Sequence, residues 1–324
     1  ALVDFYCELG DVYMADYPKF DPERHLTKDV VRRAVIPGSA GRKGVGDVVT
    51  SRSCAYSSKM MNDSITYPLK MVTHTWGALF RDLVAIVVTD ALGEREFKPF
   101  GQLLDRNPAA LKEMLQFSGM SQTRYWICAF SVCQHASICG GNPHGDRDSV
   151  SGEVHGICDC GLPKAFNSTE PLHPQKQESI SCEINKFSDM MKFVAANDSM
   201  FEQVIAVDSS FSIFSRAWCI AELAEAHQMH MRQNLVVPSQ ADLQEHGDTL
   251  RHIRVEDMEA TRPADKEMIL AGIKDKGAFN ASMQALLTGK DGLLDAFNQS
   301  LDTLETLKVV GRIARQRRVS ELLS

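Results

Sequence analysis

The sequence has no long hydrophobic segment and no excess of positive charge. Its unbroken apolar runs reach only six residues, as at 83–88, whereas a membrane-spanning helix needs about 20. Lys and Arg together number 35 and Asp and Glu number 42, which gives a net charge of −7. We therefore expect no transmembrane segment, and the overall charge argues against nucleic acid as a partner.

The sequence also lacks the cysteine framework of a small secreted scaffold. Nine cysteines are an odd number, and a chain of 324 residues is long enough to bury a core without disulfides. The N-terminal residues carry no charged-then-apolar leader, so we expect that any targeting segment has been removed or was never included. Five Asn-x-Ser/Thr triplets favour secretion, but such triplets arise easily by chance. We expect an intracellular location, with the cytoplasm favoured and an organelle as the alternative.

What the sequence does contain is an alternation of strand and helix patterns. Short apolar strand patterns occur at residues 69–73, 124–130, 203–208, 234–238 and 253–255. Apolar residues at helical spacing occur between them, at residues 78–92, 107–117, 184–195 and 215–231. Strands that alternate with helices predict an α/β fold, with a doubly wound parallel sheet and helices on both faces.

Three regions are expected along the chain. Residues 1–66 lack clear periodicity and are predicted to form an irregular cover that packs on the main domain. Residues 67–262 carry the α/β pattern, which is interrupted by a Cys/His-rich insert at 134–181. Residues 263–324 are mostly amphipathic at helical spacing, which predicts a C-terminal helical extension.

The most informative segment is residues 209–226, SSFSIFSRAWCIAELAEA, which directly follows a strand pattern. Ser215 is expected to cap the helix that begins there. Trp218 and Glu222 are four residues apart, so they share one face of that helix. A carboxylate at the carboxyl end of a parallel sheet lies where open α/β folds bind ligands. The alternative is that Trp218 anchors the helix in the core and Glu222 is solvated.

Three blocks of residues together resemble the Toll/interleukin-1 receptor (TIR) family. They are Thr-His-Thr-Trp at 73–76, Tyr-Trp-Ile-Cys at 125–128 and Ser-Arg-Ala-Trp-Cys-Ile-Ala-Glu-Leu at 215–223. In that family a first strand runs into a Ser-His motif, and a later helix opens with Ser-x-x-Trp-Cys-x-x-Glu-Leu. The resemblance covers residues 68–240 and implies a flavodoxin-like sheet in three layers. Here Thr73 replaces the usual Ser, and the insert is one that typical TIR domains lack.

The whole chain is also similar to a family of proteins of dinoflagellate-type algae. Those proteins carry the same Thr-His-Thr-Trp block, a Tyr-Trp-Ile-Cys-Ala-Phe block and an Arg-Ala-Trp-Cys-Ile-Ala-Glu-Leu-Ala-Glu-Ala block. This second resemblance implies no function.

The TIR resemblance implies two functions of different classes. Some TIR domains are adaptors that assemble through helix and loop surfaces, and others cleave the nicotinamide–ribose bond of NAD. In the enzymes, the Glu of the Trp-Cys-x-x-Glu helix is catalytic, which would place that role on Glu222. An anion there could stabilise the ribosyl cation that forms as the bond breaks.

The same resemblance suggests which residues would surround a bound nucleotide. His74 and Trp76, at the end of the first strand, could line the crevice, with Trp218 on the helix beside it. Asp208 could hold a ligand hydroxyl, or it could instead cap the turn that follows its strand. We favour an interaction or assembly module over an NAD glycohydrolase. Its partner would be another protein or a second copy of the chain, and a subunit of a larger complex is one form that such a module takes.

The insert suggests a different chemistry, because it is rich in thiol and imidazole groups. His155, Cys158 and Cys160 are its densest cluster, and Cys139 lies earlier in the same insert. Thiolate and imidazole are the ligands that zinc prefers, so these four residues are candidate metal ligands. Cys158 and Cys160 are separated by one residue, which is a poorer chelating spacing than C-x-x-C. A disulfide from Cys139 to Cys158 or Cys160, or free thiols, are the alternatives.

Overall fold

The computed structural model describes residues 1–41, 53–142, 145–164, 187–260, 263–303 and 306–307. Within those ranges no helix has the length and apolar character that a bilayer crossing requires. In the predicted C-terminal extension, residues 293–303 are helical, and residues 304–305 and 308–324 lie outside the described part of the chain.

A four-stranded, entirely parallel sheet forms the centre of the molecule. Its strands are β1 (Lys70–Thr73), β2 (Tyr125–Ile127), β3 (Glu202–Ala206) and β4 (Arg232–Val236). They lie in the order β2-β1-β3-β4, so the chain moves from β1 to one side and then returns past it to β3. This reversal creates a topological switch point between β1 and β3. The predicted α/β class with a parallel sheet is confirmed.

Helices account for most of the remaining described chain. The first half contains α1 (Leu2–Glu8), α2 (Thr27–Val30), α3 (Ile36–Ser39), α4 (Tyr56–Met60), α5 (Phe80–Ala91), α6 (Lys98–Arg106), α7 (Pro108–Phe117) and α8 (Cys128–Ser131). The second half contains α9 (Phe187–Asn197), α10 (Ala217–Gln228), α11 (Gln240–Glu245), α12 (Gly247–Arg251), α13 (Pro263–Gly272) and α14 (Lys276–Thr288). Two π-helical turns, Leu9–Tyr13 and Val31–Val35, continue α1 and α2.

Both faces of the sheet are buried, and alternate strand residues point to opposite faces. Val72, Val204 and Val236 pack into one core with α5 and the N-terminal helices. Ile205, which follows Val204, and Leu235, which precedes Val236, point to the other face and pack into a second core with α10. The carboxyl-terminal halves of β3 and β4 are apolar and buried, which is why the sequence revealed them.

The N-terminal region is helical, and this corrects the prediction of an irregular cover. Its aromatic residues pack directly against the main domain: the Phe5 ring lies 5.9 Å from that of Phe80 and 5.2 Å from that of Phe130. The Thr27 amide also donates to the Ala78 carbonyl at 2.8 Å. Short helices joined by π-helical turns do not show the long 3.6-residue period by which helices are predicted from a sequence, so most of these helices were not predicted.

Other elements differ from the sequence predictions for identifiable reasons. The strand predicted over 124–130 ends at Ile127, and the chain turns directly into α8. Residues 253–255 are not a strand, and a 3-10 turn begins at Val255. Ser215 does not cap α10: its hydroxyl donates to the Ser212 carbonyl in the preceding 3-10 turn, and Arg216 occupies the cap position. Helix α6 was not anticipated.

Candidate functional site

Glu222 lies on α10 and is reached by a chain of hydrogen bonds that crosses the sheet. Gln233 Nε2 donates to Gln203 Oε1 at 2.7 Å, and Gln203 Nε2 donates to Thr73 Oγ1 at 2.7 Å. The Thr73 hydroxyl in turn donates to Glu222 Oε2 at 2.6 Å. The Thr73 hydroxyl has one hydrogen and two acceptor lone pairs, so it can accept from Gln203 and still donate to Glu222. Every donor in this chain is therefore directed towards one carboxyl group.

The site occupies the position that open α/β sheets use for ligands. Thr73 is the last residue of β1, the strand that borders the switch point. In the strand register Met71 lies opposite Gln203, which lies opposite Gln233, so the two amides run under α10 on the same face as Thr73. Ligands in such folds bind at the carboxyl ends of the strands beside the switch point.

The carboxyl group of Glu222 has no basic partner within the described residues. Burial raises its pKa to about 8, and the hydrogen bond from Thr73 offsets only part of that rise. Glu222 is therefore largely protonated at neutral pH, unless something positively charged enters the site.

His74 and Trp76 meet around one thiol directly after β1. Burial lowers the pKa of His74 to about 4, so its ring is neutral. The Nδ1 atom lies 3.2 Å from the Val72 carbonyl and Nε2 lies 3.7 Å from Cys128 Sγ, which also accepts from Trp76 Nε1 at 3.3 Å. Burial raises the pKa of Cys128 to about 12. A neutral thiol beside a neutral imidazole is not an activated nucleophile, so this group shapes the loop after β1.

Two of the residues expected around a nucleotide have other contacts. Trp218 turns away from the sheet: its Nε1 donates to Asp265 at 3.3 Å and its ring packs edge-on against Phe187 at 5.8 Å. Asp208 caps the turn after β3, where its carboxylate accepts from the backbone amides of Ser212 and Ile213. The capping alternative for Asp208 is the one that the contacts show, and Trp218 serves as the anchor of α10.

A second cluster brings together thiol and imidazole groups from the segments after β2. One ligand atom each from His135, Cys139, Cys158 and Cys160 lies within 4.8 Å of all the others. The Cys158 amide donates to the Cys139 carbonyl at 2.7 Å, which holds the two cysteine segments side by side. This group could hold a metal ion such as zinc.

His155 does not belong to that cluster, which corrects the predicted ligand set. Its Nε2 lies 2.9 Å from Asp29 Oδ1, and it forms a separate buried group with Asp29 and Asp148. His135 takes its place beside the sulfurs. The sequence carried a signal for His135, since it precedes Cys139 by four residues, but His155 lies even closer to its own cysteine and was preferred.

A lysine lies within the sulfur cluster. Lys164 Nζ is 3.3 Å from Cys139 Sγ and donates to the carbonyls of His135 and Leu162 at 2.7 and 2.8 Å. Burial raises the pKa of Cys139 to about 11, against the effect of Lys164. For Cys160, burial is outweighed by the Leu162 amide and the neighbouring thiols, so its pKa is lowered.

Comparison with known proteins found no family model, curated protein or solved structure that matches this chain.

Proposed function

We propose that this chain is a TIR-like domain that binds NAD at Glu222 and hydrolyses its nicotinamide–ribose bond. The observation that carries the proposal is the carboxyl group of the partly buried Glu222, which is hydrogen-bonded by Thr73 at the end of β1 and has no basic partner among the described residues. Such a group is costly to retain for stability alone, and it is common at functional sites.

The charge of the substrate complements this carboxyl group. The nicotinamide ring of NAD is a cation, and the ribosyl group becomes cationic as the bond to nicotinamide breaks. A positive charge close to Glu222 favours its ionised form, so entry of the substrate would release the proton that burial retains. The resulting carboxylate would stabilise the ribosyl cation, and water would then add to it.

The surroundings of Glu222 supply orientation. Thr73 fixes Oε2, and the amides of Gln203 and Gln233 fix Thr73, so the carboxyl group is held before the substrate arrives. Trp76 is only partly buried, and its indole Nε1 donates to Cys128 Sγ. We propose that the exposed part of this ring, at the end of β1, stacks on the substrate.

Nicotinamide release from NAD by the purified full-length chain tests this proposal. We expect Glu222→Gln to lower the rate by about 100-fold or more, because it removes the anion and preserves the shape. Thr73→Ser, which keeps the hydroxyl, should retain most of the activity, and Thr73→Val should lose most of it.

The matched control is Glu225→Gln, on the same helix. Glu225 interacts with Lys192 and Ser188 rather than with Thr73, so its loss should change the rate less than about twofold. Folding of each variant is checked by circular dichroism. Nicotinamide release that stays at the buffer rate with folded wild-type protein would refute the hydrolase.

The assembly module is the second candidate, and a surface observation favours it. Three apolar side chains at the end of α7 and in the following turn face solvent: Met114 is 41% exposed, Phe117 97% and Met120 46%. Grouped exposed apolar residues are typical of interaction surfaces. The partner we propose is a second copy of the chain. Sedimentation should then show concentration-dependent association that Phe117→Glu abolishes, and a monomer at about 100 μM would refute it.

A further inference from the structure

We propose that His135, Cys139, Cys158 and Cys160 form a tetrahedral zinc site. It would fasten the segment after β2 to the segment around Cys158, and both of them to the N-terminal helices. The proposal is independent of any activity at Glu222.

The distances within the cluster fit a zinc tetrahedron. Zn–S bonds of about 2.3 Å and Zn–N bonds of about 2.0 Å imply edges of about 3.8 Å between sulfurs and about 3.5 Å between sulfur and nitrogen. The Cys139 and Cys160 sulfurs are 3.7 Å apart, and Cys158 Sγ lies 3.6 Å from His135 Nδ1. Two opposite edges of the tetrahedron therefore have the required length.

His135 is held in the orientation that a metal ligand needs. Its Nε2 lies 2.9 Å from the Ile36 carbonyl, so this nitrogen carries the hydrogen and donates it. With the hydrogen on Nε2, Nδ1 carries the lone pair, and it lies 3.6 Å from Cys158 Sγ. A hydrogen bond from the far nitrogen of a ligating histidine to a carbonyl is the usual support for such a ligand.

The charge of a Cys₃His zinc site is balanced by Lys164. Three thiolates exceed the charge of a zinc ion by one negative charge, and the Lys164 ammonium lies 3.3 Å from Cys139 Sγ and 3.7 Å from Cys160 Sγ. The space for this side chain depends on Gly140, where an added Cβ would come within 2.8 Å of Lys164 Cε.

A disulfide explains the cluster less well than a metal does. Bonded sulfurs lie about 2.0 Å apart, whereas Cys139 and Cys160 are separated by 3.7 Å. A disulfide would also use only two of the three sulfurs and would give no role to the oriented imidazole or to the lysine.

The site joins segments that come from distant parts of the chain. Through Ile36 it reaches α3, and Arg32 in the neighbouring π-helical turn donates to the carbonyls of Ile138 and Gly141 at 3.0 and 3.1 Å. Gln134, next to His135, donates to the Cys128 carbonyl at 3.0 Å. The zinc site would therefore stabilise the N-terminal helices and the loop that carries His74 and Trp76.

Metal analysis of the full chain, prepared without chelator, tests the proposal. We expect about one zinc per chain in the wild type and a loss of most of it in Cys160→Ser and His135→Ala. The controls are Cys7→Ser, which removes an exposed thiol, and His155→Asn, which removes the histidine of the separate carboxylate group. Both controls should keep the wild-type zinc content. Lys164→Gln should weaken zinc binding by about 10- to 100-fold.

Two measurements keep the test decisive if the ligand variants fail to fold. Titration of wild-type thiols with a mercurial should release the zinc as the cysteines react, which a chelating dye detects. Cobalt exchanged into the wild type should show the intense visible bands of four-coordinate thiolate ligation. Folded wild-type protein that holds no zinc after exposure to it, or zinc lost in His155→Asn but kept in His135→Ala, would overturn the proposal.

Discussion

Glu222 is the residue whose burial has the clearest consequence for stability. Its pKa is raised from an ordinary value of 4.5 to about 8, chiefly by burial. The folded protein thus holds this proton more tightly than the unfolded chain does. Protonation at Glu222 therefore stabilises the fold fully below pH 4.5, and this contribution is lost as the pH rises towards 8.

We predict that Glu222→Gln becomes more stable relative to the wild type as the pH rises. The difference in the free energy of unfolding should widen by up to about 1.4 kcal/mol per pH unit between pH 5 and pH 7.5, because glutamine does not ionise. Urea denaturation at several pH values measures it. Glu113→Gln, on the exposed face of α7, is the control and should follow the wild type. Parallel curves for wild type and Glu222→Gln would contradict the prediction.

At the scale of single residues, the sequence identified part of the site. Glu222 and His74 stand within short motifs, so their proximity to a strand end could be predicted. Gln203 and Gln233 could not, because they reach Thr73 only through the register of three parallel strands. The register brings Gln203 to Thr73, 130 positions away, and Gln233 to Gln203, 30 positions away. Single-sequence periodicity does not contain that information.

At the scale of elements, the strands begin in a buried network of charges at the edge opposite Glu222. Glu202, the first residue of β3, is 4% exposed and lies 3.3 Å from Lys70 Nζ. The same ammonium lies 2.8 Å from Asp90 of α5, which also accepts from the Tyr125 hydroxyl at 2.7 Å. Lys70 therefore pairs with two buried carboxylates, and the network connects three strands to a helix. Glu202 also pairs with Arg232.

We predict that Lys70→Met destabilises the protein by about 3–5 kcal/mol. Removing Lys70 leaves the buried Asp90 carboxylate without an ion pair among the described residues, whereas Glu202 keeps its pair with Arg232. An uncompensated buried charge costs far more than the pair itself contributes. The matched control is Lys192→Met, whose exposed pair with Glu225 should contribute less than about 1 kcal/mol. Urea unfolding at pH 7 compares the two. A similar loss of unfolding free energy in both variants would contradict the importance of the buried network at the strand ends.

At the scale of the whole molecule, the N-terminal helices share the core of the α/β domain. Phe5 contacts the rings of Tyr13 and Tyr56 within its own region at 5.1 Å, and those of Phe80 and Phe130 in the main domain. Its side chain is buried, as are most of the apolar residues around it. Residues 1–41 and 53–66 are therefore a structural part of this fold rather than an accessory layer.

We predict that Phe5→Ala lowers the free energy of unfolding by about 3–5 kcal/mol, because it leaves a cavity between the two regions. The unfolding transition should remain single, since the regions share one core. Phe117→Ala removes the same side chain from an exposed position and should change stability by less than about 0.5 kcal/mol. Two separate transitions, or an effect of Phe5→Ala no larger than that of Phe117→Ala, would count against a shared core.

The sequence by itself determined the α/β class and the parallel sheet. A strand that is buried on both faces needs a short apolar run, and a helix that is buried on one face needs apolar residues at helical spacing. Both patterns are local in the chain. Tertiary structure alone decided which groups meet. His135 and His155 both lie close to a cysteine in sequence, yet the folded path carries one to three sulfurs and the other to two carboxylates. Long-range placement depends on how the chain crosses the sheet, and that is a property of the folded molecule.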